Sequence, residues 1–252
     1  MDLRGKKFLI TGASSGIGAA TARQAAAKGA PVILVARSAE RLQRVAESIR
    51  DSGGAARVYV ADLSDFEAVR TTAARIQQDE GVPDIIMNNA GAGPWKFAHE
   101  TTPEEAARMM AVPYLGAFAV TRAFLPQMIA RRSGVIVNVT SVAAFLAWPG
   151  AAAYIAARRA MAGFNDALRV ELRPHGIAVM LAAFAKVATE YWQNNPGSEK
   201  NLPAGQALIP ELTPDDAARF IVAGIEKGKS RVIEPRRLRM ILALARLFPG
   251  AL

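Results

Sequence analysis

Short β-rich runs alternate with longer helical patterns along almost the whole chain, and that alternation limits the folds open to it. The runs are Lys7–Thr11, Val32–Ala36, Ala56–Ala61, Ile85–Met87, Val135–Thr140 and Ala178–Ala182. Between them lie helical stretches near 16–28, 39–51, 65–79, 103–132, 152–173 and 214–227, and Val232-Ile233 offers a last strand. This pattern predicts an α/β fold with a doubly wound parallel β-sheet flanked by helices on both faces. Ligands of such sheets bind outside the carboxyl ends of the strands. Thr11-Gly12, Arg37, Asp62, Asn88–Gly91 and Ser141 each follow a strand end, so they are expected to line one cleft.

The first strand runs into Thr11-Gly12-Ala13-Ser14-Ser15-Gly16-Ile17-Gly18, which opens an Ala-rich helix. Strand, glycine-rich turn, helix is the context in which such a loop binds phosphate. The glycines let the backbone approach a pyrophosphate, which sits on the N–H groups and positive dipole end of the next helix. The bland alternative is a tight turn with no ligand.

Composition narrows the chemistry. At 252 residues and 51% hydrophobic, the chain can bury one substantial core without dividing into domains. It has no cysteine, which excludes disulfides, thiolate metal sites and cysteine nucleophiles. His99 and His175 lack metal-ligand spacing, and no metal site is expected. The net charge of +9 raises the question of nucleic acid, but the Lys and Arg residues are scattered and form no nucleic-acid motif. A solvated basic surface is the better reading. The start runs directly into the first strand without a signal-peptide core, so a cytoplasmic protein is expected.

With these positions in hand, the chain resembles the short-chain dehydrogenase/reductase family over nearly its whole length. The matching motifs are Thr11–Gly18, Asp62-Leu63, Asn88-Asn89-Ala90-Gly91, and Ser141 thirteen residues before Tyr154. The resemblance implies a single-domain Rossmann fold and hydride transfer between nicotinamide and a carbonyl or secondary alcohol. It implies that Ser141 holds the substrate oxygen and that Tyr154 gives or takes the proton. It further implies that Gly12, Ser14, Ser15, Gly16, Ile17 and Gly18 bind the cofactor phosphates. Asp62 and Leu63 would hold the adenine, and Asn89, Ala90 and Gly91 would contact the adenosine ribose. Asn88 has a structural role as its equal alternative, and an N-cap is the alternative at Asp62. Arg37 follows the second strand, where an acidic residue would select NAD. A guanidinium suits a 2′-phosphate, so NADP(H) is the expected cofactor, a surface arginine being the alternative.

Three departures lie at the nicotinamide end. Tyrosine ordinarily ionises near pH 10 and needs a nearby cation to work at neutral pH. The family supplies a lysine four residues on, whereas this chain has Arg158, which keeps the charge but cannot relay a proton. Pro113 replaces the active-site asparagine of a V-N-x-x-G pattern and is expected to free the Met109 carbonyl and kink its helix. Phe184-Ala185 replaces a Pro-Gly pair, while Val187 and Thr189 keep the contacts to the nicotinamide carboxamide. Tyr154 and Arg158 are thus expected as both catalytic and cofactor-binding residues. Because Ser141 and Tyr154 are retained, an active NADP(H)-dependent oxidoreductase is favoured over a cofactor-binding sensor or scaffold with weak or no activity.

Gly93, Pro94, Trp95, Phe97, Phe145, Leu146 and Trp148, with a lid over 191–212 beginning at Tyr191-Trp192, are expected to favour an apolar carbonyl or alcohol substrate. The catalytic domain is placed at 1–235. The basic, apolar tail 236–252 is assigned to packing against this subunit or a partner subunit in a homodimer or homotetramer, or to peripheral contact with a membrane surface through its arginines.

Overall fold

The computed structural model describes residues 1–91, 93–203 and 209–247, the side chains of 241 and 243–247 excepted. Seven strands form one parallel sheet: β1 (Phe8–Thr11), β2 (Val32–Ala36), β3 (Ala56–Val60), β4 (Ile85–Asn88), β5 (Gly134–Ser141), β6 (Ile177–Phe184) and β7 (Arg231–Glu234). Their order is β3-β2-β1-β4-β5-β6-β7, so the winding reverses between β1 and β4. A crevice opens at such a reversal. This is the doubly wound Rossmann arrangement that the alternation predicts.

The central strands are mostly apolar because helices cover both faces. Successive side chains go to opposite layers: Phe8 and Ile10 of β1 pack on one side, Leu9 on the other. The first layer holds α1 (Gly16–Ala27), α2 (Ala39–Asp51) and α8 (Pro214–Glu226), which contribute Ala22, Leu42 and Ile221. Opposite lie α3 (Phe66–Asp79), α5 (Ala117–Ala130) and α6 (Ala152–Leu172), with Val69, Phe124 and Leu168. Side-chain caps start several helices where the sequence allows: Ser38 for α2, Asp65 for α3 and Thr213 for α8.

Pro113 is absorbed rather than obeyed as a stop. Helix α4 (Pro103–Met110) continues into α5 through a π-helical turn, Ala111–Gly116, with Pro113 buried inside it. The wider turn accommodates a residue that cannot donate to the carbonyl four positions back. The combined run Pro103–Ala130 is 28 residues long and apolar enough by composition to span a membrane. Here Val120, Phe124 and Met128 bury it against the sheet.

The tail begins as α9 (Arg236–Leu247), docked on β7. Leu238 and Leu242 are buried, and Arg239 donates through Nε to the Ile233 carbonyl at 2.8 Å while pairing with buried Glu234. Helix α9 therefore packs on the domain that was expected to end at 235. Phe248 and the rest of 248–252 lie outside the described residues, as do the side chains of Ile241, Leu244, Arg246 and Leu247.

Candidate active site

The phosphate end of the crevice is made of backbone. Gly12 adopts φ 65°, and a β-carbon there would come within 2.9 Å of the Ala90 Cα. At Gly18 a β-carbon would run into the Gly12 carbonyl. Only glycine lets β1, its turn and the segment after β4 approach this closely. Ser15 precedes α1 without a side-chain cap, and the first turn of α1 has no acidic residue. The first N–H groups and the positive end of α1 are thus left for an anion, which fits a dinucleotide's phosphates. Ile17 packs toward the core beneath the loop.

Beside this loop opens a cavity of about 330 Å³, lined by Ser14, Ser15 and Gly16 on one side and by Arg41 and Arg44 of α2 on the other. Arg23 of α1 and Glu190 complete its rim. The sequence reading missed Arg23, Arg41 and Arg44. Arg41 stands four residues after Arg37, behind the Ser38 cap, and that spacing was the available signal. Arg37 itself is exposed at the end of β2, close enough to Asp62 to help hold its carboxyl below the usual range. The larger cause is the pair of bonds Asp62 Oδ1 accepts from Ser64, at 2.9 Å from the amide and 2.7 Å from the hydroxyl. Asp65, not Asp62, caps α3.

Several residues read as ligand contacts also work inside the protein. Asn89 donates through Nδ2 to the carbonyls of Thr11 (3.1 Å) and Gly12 (3.2 Å), and the Thr11 hydroxyl accepts the amides of Asn89 and Ala90. Asn88 is buried in a side-chain network, donating to Thr121 at 3.0 Å and Asn138 at 2.9 Å. The Leu63 side chain sits in the core, leaving only its backbone to face a ligand. Val187 packs against the core and bridges Leu212, while Thr189 lies against Gly16, 3.1 Å from where a β-carbon would stand. The lost Pro-Gly pair is replaced by buried Phe184 and by an Ala185 amide held on the Glu234 carbonyl at 3.2 Å.

The end of the crevice where Ser141 and Tyr154 are expected to act is assembled from side chains. Ser141 closes β5, its hydroxyl oxygen accepting the Ala143 amide at 3.3 Å, which leaves the hydroxyl hydrogen available. Tyr154 and Arg158 occupy one face of α6, one turn apart. Thr140 ties this helix to β5 by donating to the Arg158 carbonyl at 3.2 Å. The guanidinium lies 4.9 Å from the Tyr154 ring centroid and reaches Gly91. A β-carbon on Gly91 would be 3.3 Å from both terminal nitrogens, so Gly91 makes room for the longer side chain. Arg158 is only 7% exposed, and its Nε has no hydrogen-bond partner among the described residues. A buried, unpaired donor is costly unless a ligand completes it.

An aromatic cluster covers Tyr154. Trp95 lies 5.2 Å from its ring centroid and packs on Trp148 and Trp192. Trp95 is held by three bonds to the segment 191–201: its amide donates to Ser198 (2.9 Å), its indole to the Tyr191 hydroxyl (2.9 Å), and its carbonyl accepts from Asn201 (3.1 Å). Tyr191 in turn donates to the Gly93 carbonyl at 2.5 Å. Burial, with Tyr154 alongside, pushes Tyr191 far above the usual tyrosine range, so it stays a donor. The segment begins with the short helix α7 (Tyr191–Asn194), and 204–208 of the expected lid lie outside the described residues. Phe97 does not join the cluster; it is exposed and stacks on His99.

Residues 6–200 match the short chain dehydrogenase family. The chain belongs to the short-chain dehydrogenase family. It is an oxidoreductase of that type, and the cofactor of its fold is a nicotinamide dinucleotide. Among short-chain dehydrogenase relatives, an uncharacterized oxidoreductase of Mycobacterium tuberculosis is 37% identical, over 92% of this chain and 67% of its own length. A fatty acyl-CoA reductase of Acinetobacter baylyi is 33% identical, over 92% of this chain and 76% of its own. A short-chain dehydrogenase from Sphingobium yanoikuyae, solved in complex with NADPH, superposes with a TM-score of 0.83 at 27% identity, covering 98% and 96% of the two chains.

Proposed function

We propose that this dehydrogenase is NADP(H)-dependent and acts on an apolar carbonyl or secondary alcohol. The observation that carries the reading is the trio at the end of β5 and on α6: a half-buried Ser141, a buried Tyr154, and a buried Arg158 guanidinium with an unpaired Nε. When bound, the nicotinamide supplies or accepts the hydride. Ser141 donates its hydroxyl hydrogen to the substrate oxygen. Tyr154 gives that oxygen its proton in reduction and takes it back in oxidation. Arg158 stabilises the developing phenolate through its charge, and its Nε–H suits a ribose hydroxyl. It remains protonated throughout, so the relay proton leaves by another path.

The arginine-lined cavity beside Ser14 and Ser15, with Arg37 at the end of β2, supports a cofactor carrying a 2′-phosphate. The aromatic cluster over Tyr154 supports an apolar substrate, in keeping with the fatty acyl-CoA reductase among the relatives. Leu115 and Phe118 stand exposed on the α5 side, Phe118 against Phe164 of α6, and support a homo-oligomer built on this apolar face.

Fluorescence titration of NADPH and NADH, read through Trp95, Trp148 and Trp192, tests the cofactor. Saturable binding that favours NADPH and weakens in Arg37→Ala is expected, followed by turnover of apolar ketones. Binding without turnover of any such substrate would end the apolar-substrate reading, and no preference for NADPH would end the NADP(H) reading.

A further inference from the structure

The arginine-lined cavity contains a carboxylate that the phosphate-binding loop does not need. Of its three arginines, Arg44 is paired with Glu40 one turn back on α2, and Arg23 makes no ion pair among the described residues. Arg41 reaches across the cavity to Glu190, 149 positions away in the chain. Glu190 is thereby an anion at the rim of a cavity whose other charged lining residues are Arg23, Arg41 and Arg44. Both partners keep more than 40% of their side-chain surface exposed, so water and salt screen the pair and an incoming anion can displace it.

The residues around Glu190 give the displacement a consequence. Thr189 touches Gly16 of the phosphate loop, and Tyr191 holds Gly93 and Trp95 over Tyr154. Glu190 is the link between those two contacts, and its carbonyl accepts the Asn194 amide at 3.0 Å at the start of α7.

We infer that Arg41 shares the selection of the 2′-phosphate with Arg37, and that the Glu190 carboxylate is the internal anion Arg41 gives up when that phosphate arrives. The inference rests on the NADP(H) reading and names the residues that execute it. A ribose phosphate at the end of β2, beside Ser14, would offer the Arg41 guanidinium a forked, charge-assisted partner, whereas Glu190 meets it from an exposed, screened position. The exchange frees the start of α7 from α2. Cofactor choice and the closure over Tyr154 are then linked through one side chain.

The test is binding, not turnover. 2′,5′-ADP, 5′-AMP, NADPH and NADH are titrated into wild type, Arg41→Met and Glu190→Gln at low salt. In Arg41→Met, affinity for 2′,5′-ADP and NADPH falls about tenfold or more, while 5′-AMP and NADH are unchanged and report an intact fold. In Glu190→Gln, 2′,5′-ADP binds about two- to fivefold tighter and 5′-AMP is unaffected. The sign is decisive: weaker binding in Glu190→Gln means the carboxylate merely orients Arg41, and unchanged binding means it plays no part. Either result overturns the inference, as does an unchanged Arg41→Met. If the wild type binds NADPH tightly and neither variant alters it, the NADP(H) reading stands and this inference alone fails. If the wild type prefers NADH or binds neither nucleotide, the NADP(H) reading falls and takes the inference with it.

Discussion

The two ends of the crevice are built by different means. At the phosphate end, residues 11–18 form the site with backbone from one strand, one turn and one helix start. At the other end, Trp95, Ser141 and Tyr191 come from separate segments and join Tyr154 and Arg158 of α6, and the bond joining Trp95 to Tyr191 spans 96 positions. A backbone site depends on φ angles and on the absence of β-carbons, so it tolerates no change at its glycines. A side-chain site depends on packing, so one departure can be met by an adjustment nearby. Arg158 fits because Gly91 leaves it room, and Pro113 fits because its helix widens into a π turn.

The sharpest way to separate the two ends is Tyr154→Phe. Turnover should fall about 10²–10⁴-fold, the usual contribution of a positioned proton donor, with NADPH affinity within about twofold of wild type. A parallel loss of nucleotide binding would show that the ends are not separable. Gly18→Ala attacks the other end. Its new methyl has nowhere to go against the Gly12 carbonyl, so nucleotide binding should be lost and stability should drop by about 1–3 kcal/mol in thermal melts.

Arg158 sits on the boundary between the ends. Arg158→Met removes the cation beside Tyr154, and kcat should fall about 10- to 100-fold. Arg158→Lys keeps the charge and should recover most of that loss. Equal activity in the two variants would mean that charge at 158 is not what matters. The smallest effect belongs to Asn201→Ala, which deletes bonds to the carbonyls of Trp95 and Gly150. Stability should fall by about 1 kcal/mol, the amides of 93–97 should exchange faster, and KM should move without a change in nucleotide affinity. A shift in NADPH affinity in this variant would instead tie the aromatic cluster to the phosphate end.

What could be read in advance follows the same division. The strand–helix alternation located six of the seven strands to within about two residues and anticipated the seventh, because buried parallel strands are apolar runs and α2, α3 and α8 carry local caps. The phosphate loop was legible because its three glycines, preceding strand and following helix are contiguous. Helix α9 was legible as a helix, but its docking on β7 was not, since an apolar stripe does not name the surface that covers it.

The residues themselves determined the strand–helix order and the glycine turn after β1, because each is expressed within a few turns of chain, while Ser141, Tyr154 and Arg158 were singled out by the family resemblance. Tertiary structure alone decided what those groups touch. It put Asn88 into a buried network, turned Leu63 into the core, brought Trp95 under Tyr191 and Asn201, and set Glu190 on Arg41. Such contacts join positions about 30 to 150 apart, and nothing in local propensity or periodicity encodes which distant side chain will meet which.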